Sequence, residues 1–145
     1  IPAGGLATTL RRKRGEIIKL RTIGYYKEMP HGQVTDPCME EFINQEDVEQ
    51  AEMICNYLRN GSALIVSPGE TVDVLHPEKG FSGTATAYTD GTWVWPGDLA
   101  YYVESYLLKI PEEFRRTMIQ NKWRNPVAGM DFAKESIEIN GIQMF

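Results

Sequence analysis

Nowhere in this chain does an apolar run approach the roughly 18 residues that a membrane-spanning helix needs, and nothing resembles a secretory apolar leader. A membrane role is therefore not expected. Cysteine is scarce: only Cys38 and Cys55 are present, with sixteen residues between them. One pair does not make a disulfide framework, so free thiols in a reducing compartment are expected, and with them a cytoplasmic location. No glycine-rich phosphate loop is present, because Gly4-Gly5 and the Gly80/Gly83 pair lack the spacing and the strand–helix context. No zinc spacing exists either, since His31, His76, Cys38 and Cys55 are single residues far apart. Neither a metal nor a cofactor is expected.

Charge of one sign is missing from whole stretches. Between residues 28 and 60 the sole cation is Arg59, against Glu28, Asp36, Glu40, Glu41, Glu46, Asp47, Glu49 and Glu52. Residues 1–27 are the reverse, with seven basic side chains against Glu16. The overall charge of −5 hides this polarity. Phosphate contacts need cations, so nucleic acid does not suit the body of the domain. An acidic face suits a basic protein partner, although a solvated helix face has the same composition.

The 145 residues suffice for one domain with a sizeable core. The chain opens on Ile1 rather than Met, which points to a fragment or a processed product. Residues 1–15, with the RRKR run at 11–14, read as a flexible arm, and 16–145 as a single α+β domain. Its expected architecture is a small antiparallel sheet with a β-hairpin at 84–95, packed against three helices at 45–59, 98–109 and 111–122.

The segment TDGTWVWPGDLAYYVESYLLKIPEEF at 89–114 organises this reading. Asp90-Gly91 is a two-residue hairpin signal. Trp93 and Trp95 lie two apart and share a strand face. Pro96 ends that strand, and Asp98 reads as a helix N-cap. Leu99, Tyr102, Val103, Tyr106 and Leu107 then recur at helical spacing. Pro111 with Glu112 and Glu113 starts the next helix. Upstream, Glu16 to Lys27 alternates as a strand. Val48, Ala51, Ile54, Cys55 and Leu58 define a helix, capped by Asn44 with Asp47 and stopped by Asn60-Gly61. Ser62 to Ser67 reads as a short buried strand, and Val72 with Val74 as another. The tail reads as helix to about 136 with a short extended end, although Asn140-Gly141 argues for a hairpin there.

Candidate chemistry is thin. His76 could act as a general base, or make an ordinary loop hydrogen bond. Cys38 could pair with His31 or His76, but its acidic surroundings would raise its pKa. Cys55 falls on the apolar helix face. Tyr101 lies off the apolar stripe and is the expected exposed aromatic. No residue is assigned a catalytic role. The expected partner-binding residues are Glu40, Glu41, Glu46, Glu49, Glu52 and Tyr101.

The TDG-x-W-x-WP turn followed by DLAYYV-x-x-Y, with IGYYKEM, YLRNG and DVLHP upstream, resembles a family of small bacterial proteins, most without an assigned activity. The resemblance spans roughly residues 16–126. It implies a companion or immunity-type protein of a bacterial toxin system; taken with the acidic 28–60 region, the expectation is a non-enzymatic domain that neutralises a basic toxin. The alternative is a small hydrolase-like enzyme with its pocket between the 84–95 hairpin and the 98–109 helix, using His76 and a nearby carboxylate.

Overall fold

The structure, a computed structural model, describes residues 16–144; the predicted N-terminal arm lies outside them. Among the described residues, eight strands and three helices form an α+β arrangement. The strands are β1 (Ile18–Thr22), β2 (Ser62–Ile65), β3 (Thr71–Val72), β4 (Phe81–Gly83), β5 (Ala87–Thr89), β6 (Trp93–Pro96), β7 (Ile137–Ile139) and β8 (Ile142–Gln143). The helices are α1 (Val48–Arg59), α2 (Leu99–Tyr106) and α3 (Glu112–Gln120).

The sheet is larger than the sequence suggests. Six strands run in the order β2-β5-β6-β1-β7-β8, while β3 and β4 form a separate ribbon. Pairing is mostly antiparallel, but the central β1 runs parallel to both neighbours, β6 and β7. The tail contributes through its hairpin: Asn140 and Gly141 both take positive φ between β7 and β8. The helix expected there shrinks to a 3-10 turn at Phe132–Lys134. β2 is also only half-buried, with side chains alternating between partly covered and exposed.

Strand alternation sorts the core onto two faces. Trp93 and Trp95 point toward the helices and meet Phe114, with ring centroids 6.2 and 5.3 Å apart. Ile54, Leu58, Leu99, Tyr102, Val103 and Met118 complete that larger cluster. Val94, between the tryptophans, faces the other way and packs with Leu20, Ile137, Val127 and Phe132. One four-residue strand thus anchors both layers, and all four of its residues are buried.

The helix boundaries follow local backbone geometry. α1 starts at Asp47, whose carboxylate accepts from the Glu49 amide at 3.1 Å. Asn44, expected to cap, instead has φ 58° and donates its amide to the Tyr106 carbonyl. α2 is shorter than expected because Leu107 adopts a left-handed conformation, φ 48°, and breaks the ladder. The β5–β6 turn is wider than a two-residue hairpin: Thr89 pairs with Val94. The Asp90 carboxylate inside it accepts from the Thr92 and Trp93 amides.

Trp95 fills the space between α1, α3 and the sheet, at 1% exposure. Trp95→Ala should therefore lower the unfolding free energy by about 3–5 kcal/mol, the usual cost of a large aromatic cavity. Urea unfolding of the two proteins measures it; a loss below about 1 kcal/mol would contradict this packing.

Candidate functional site

Three aspartates are buried to 1% exposure or less: Asp73, Asp90 and Asp98. A buried carboxylate is costly unless donors surround it, and two of the three are well supplied. Asp90 receives the Thr92 and Trp93 amides and the Tyr57 hydroxyl, and Tyr57 in turn accepts from Asn121. Desolvation outweighs those bonds and raises its pKa. Asp73 receives the Tyr101 hydroxyl at 2.7 Å, the Tyr106 hydroxyl, and the Leu75 and His76 amides at 2.8 Å each. Burial acts to raise its pKa, but these four donors win and hold it below the usual carboxylate value. Asp73 thereby ties the β3 segment to α2.

Asp98 differs. It occupies the N-cap position of α2, but its backbone is already in the helical region and its side chain makes no capping bond. The carboxylate turns away and meets His31 instead, Oδ1 to Nε2 at 3.1 Å. Its second oxygen, Oδ2, and the other imidazole nitrogen, Nδ1, are buried with no partner among the described residues. The Tyr25 ring stands edge-on to His31 at 5.9 Å. Burial, reinforced by the charges of Asp98 and Asp36, lifts the Tyr25 hydroxyl to about 12.

Two tight turns place His31. The Met29 amide bonds to the Tyr26 carbonyl and the Gly32 amide to the Met29 carbonyl. Gly32 is required there, since a Cβ would lie 1.9 Å from the Tyr26 carbonyl oxygen. The imidazole lines a cleft of about 530 Å³ between this loop and the Glu70–Val74 segment. Its walls are mainly apolar, from Pro30, Val72, Val74, Pro77 and Ala85, and Glu70 stands at its rim, exposed.

The acidic segment is a second candidate. Glu40 and Glu41 lie on a 3-10 turn (Met39–Glu41), and Glu49 and Glu52 sit one helical turn apart on α1. All four are exposed, and the ion pairs among the described residues go to other side chains. Glu52 also lines a groove of about 450 Å³ between α1 and α2, with Glu104 opposite. Arg59, the lone cation of the segment, is engaged by Glu104 at 3.1 Å.

Two expected partner-binding residues are placed differently. Glu46 is buried at 7% exposure, its Oε1 2.6 Å from Arg115 and its Oε2 accepting the Asp47 amide. It is an internal ion pair, withdrawn from the surface. Tyr101 is half-buried, with its hydroxyl committed to Asp73 and its ring edge-on to Tyr102. Glu28 is half-buried: burial opposes its charge, but the Met39 and Glu40 amides and the Cys38 thiol bond to it and lower its pKa.

His76 lies half-exposed, stacked on Tyr106, with Nδ1 3.4 Å from the exposed Glu78 carboxylate. Trp93 and Trp95 belong to the core. Both cysteines are free. The Glu28 hydrogen bond raises the Cys38 pKa, and burial raises that of Cys55 to about 11. Among the described residues no group of three or more His, Cys, Asp or Glu could hold a metal ion, and no helix is long and apolar enough to cross a membrane. Comparison with family models, curated proteins and solved structures finds no match.

His31 and Asp98 were not linked by sequence reasoning. They lie 67 residues apart, and Asp98 carries a complete helix-cap signature that conceals its other role.

The Asp73 cluster makes a pH prediction. A depressed carboxyl stabilises the fold above its unfolded pKa, and that stability is lost as pH falls through the folded pKa. Tyr106→Phe removes one donor and should cost about 1–3 kcal/mol at pH 7. The gap between variant and wild type should narrow as the solution is acidified and Asp73 protonates in both. Urea midpoints at pH 7 and pH 3 test this; a gap that is constant or widens toward low pH would contradict it.

Proposed function

We propose that this chain is a non-enzymatic binding module that engages a basic protein, in the manner of a cytoplasmic immunity protein that neutralises a toxin. The observation that supports the reading is the set of exposed carboxylates at Glu40, Glu41, Glu49 and Glu52, while the one cation of that segment is bound to Glu104. Uncompensated charge of one sign on a surface steers an oppositely charged partner and speeds encounter. Val48 and Met53 on the same helix are 68% and 39% exposed, and supply apolar contact beside the acids. The resemblance of the 89–114 segment to toxin-companion proteins points the same way.

Partners of such proteins are encoded nearby, so the product of the neighbouring gene is the first protein to mix with this one. A complex at micromolar concentration is expected, weakening steeply between 50 and 300 mM salt. The quadruple Glu40/Glu41/Glu49/Glu52→Gln variant should bind at least tenfold more weakly, chiefly through slower association. No complex, or one indifferent to both salt and these substitutions, would overturn the reading.

A further inference from the structure

We infer that the cleft over His31 receives an arginine side chain of the basic partner, with Asp98 as the carboxylate that binds it. This rests on the proposed function and assigns it an anchoring site. Three observations carry it. Asp98 is 99% buried by side chain yet holds a single side-chain bond, so Oδ2 has an unmet demand for a donor. Asp73 and Asp90, equally buried, have no such deficit. Asp98 lies behind His31, which lines the cleft; among the described residues that lining carries no lysine or arginine, and its charged members besides His31 are Glu70 and Asp73.

The shape suits this occupant. A guanidinium on a three-carbon stem needs apolar walls for the stem and a carboxylate for the fork. Pro30, Val72, Val74 and Pro77 supply the walls. A planar fork of N–H donors can satisfy both oxygens of one carboxylate, which a single imidazole nitrogen cannot. His31 holds the place meanwhile. One hydrogen bond to Asp98 and edge contact with Tyr25 restrain it, and Nδ1 contributes nothing. Swinging the imidazole aside exchanges one bond for two. The Lys79 ammonium, the cation next to this region, sits instead over the Tyr106 ring at 4.8 Å. Glu70 at the rim adds a second negative charge along the entry path.

The probe is n-butylguanidinium, titrated into the full chain while the Cε1–H resonances of His31 and His76 are followed by NMR, with neutral n-butylurea as control. A saturable shift of His31 alone, produced by the cation and not by the urea, is expected. Asp98→Asn should weaken it by about tenfold or more, and Glu70→Gln, on an exposed segment where folding is not at issue, by about twofold. His31→Ala, followed by Tyr25 ring resonances, should bind equally or more tightly, because the placeholder is gone. The assignment is overturned if His31 does not respond, if urea does the same, or if Asp98→Asn and Glu70→Gln leave binding unchanged. Should the cation fail here while the basic protein still binds with strong salt dependence, the cleft assignment falls and the surface reading stands. Saturable cation binding with no protein complex would separate them the other way.

Discussion

The fold depends on giving buried carboxylates enough donors. Asp90 is the clearest case. Its two amide bonds set the β5–β6 turn, and its bond to Tyr57 fastens that turn to α1. Without those donors a full charge would sit in the core at a cost of several kcal/mol. Asp73 repeats the arrangement at the other end, where two tyrosine hydroxyls from α2 and two amides fix the β3 segment in place. The tyrosines of the DLAYYVESY segment are therefore bolts as well as core: Tyr102 packs inside and accepts the Val74 amide at 3.0 Å, while Tyr101 and Tyr106 both donate to one carboxylate.

Against this background Asp98 departs from the local rule. A residue at a helix N-cap normally stabilises the first turn, and here it forgoes that bond and turns toward an imidazole at the edge of a cleft. Violations of local consistency concentrate where a protein does its work. In the binding reading proposed above, the surface carboxylates would supply long-range attraction and the cleft a specific anchor. Trp95 packs against Phe114 and Tyr57 in the core beneath the helices.

Much of the helical framework was legible because periodicity is a local signal. The spacing of Val48, Ala51, Ile54, Cys55 and Leu58 locates α1, and the Asp90-Gly91 and Pro96 signals bracket β6. The caps were less legible. Asn44 fails as a cap because its amide is drawn to the end of α2, a contact 62 residues away in sequence. The sheet was underestimated because most of its strands are two to four residues long, too short to show alternation. The parallel pairing of β1 with β7 joins Ile18 to Ile137, and no spacing announces it. The Asn140-Gly141 turn was visible, but the helical composition of the residues before it competed. Of the surface acids, Glu46 could not be told from its neighbours by sequence, because its burial depends on Arg115 from α3. The His31–Asp98 pair was hidden for the same reason.

Comparing the three aspartates tests the central claim most directly. Equilibrium urea unfolding of Asp73→Asn, Asp90→Asn and Asp98→Asn at pH 7 reads what each carboxylate contributes to the fold. Losses of about 1–3 kcal/mol are expected for Asp73 and Asp90, whose several donors would be left poorly matched. Asp98→Asn should be close to neutral or stabilising, because Asn keeps the His31 bond and removes an under-satisfied charge. A loss at Asp98 equal to the other two would mean that its carboxylate serves the fold, and the account of it as a binding group would fail.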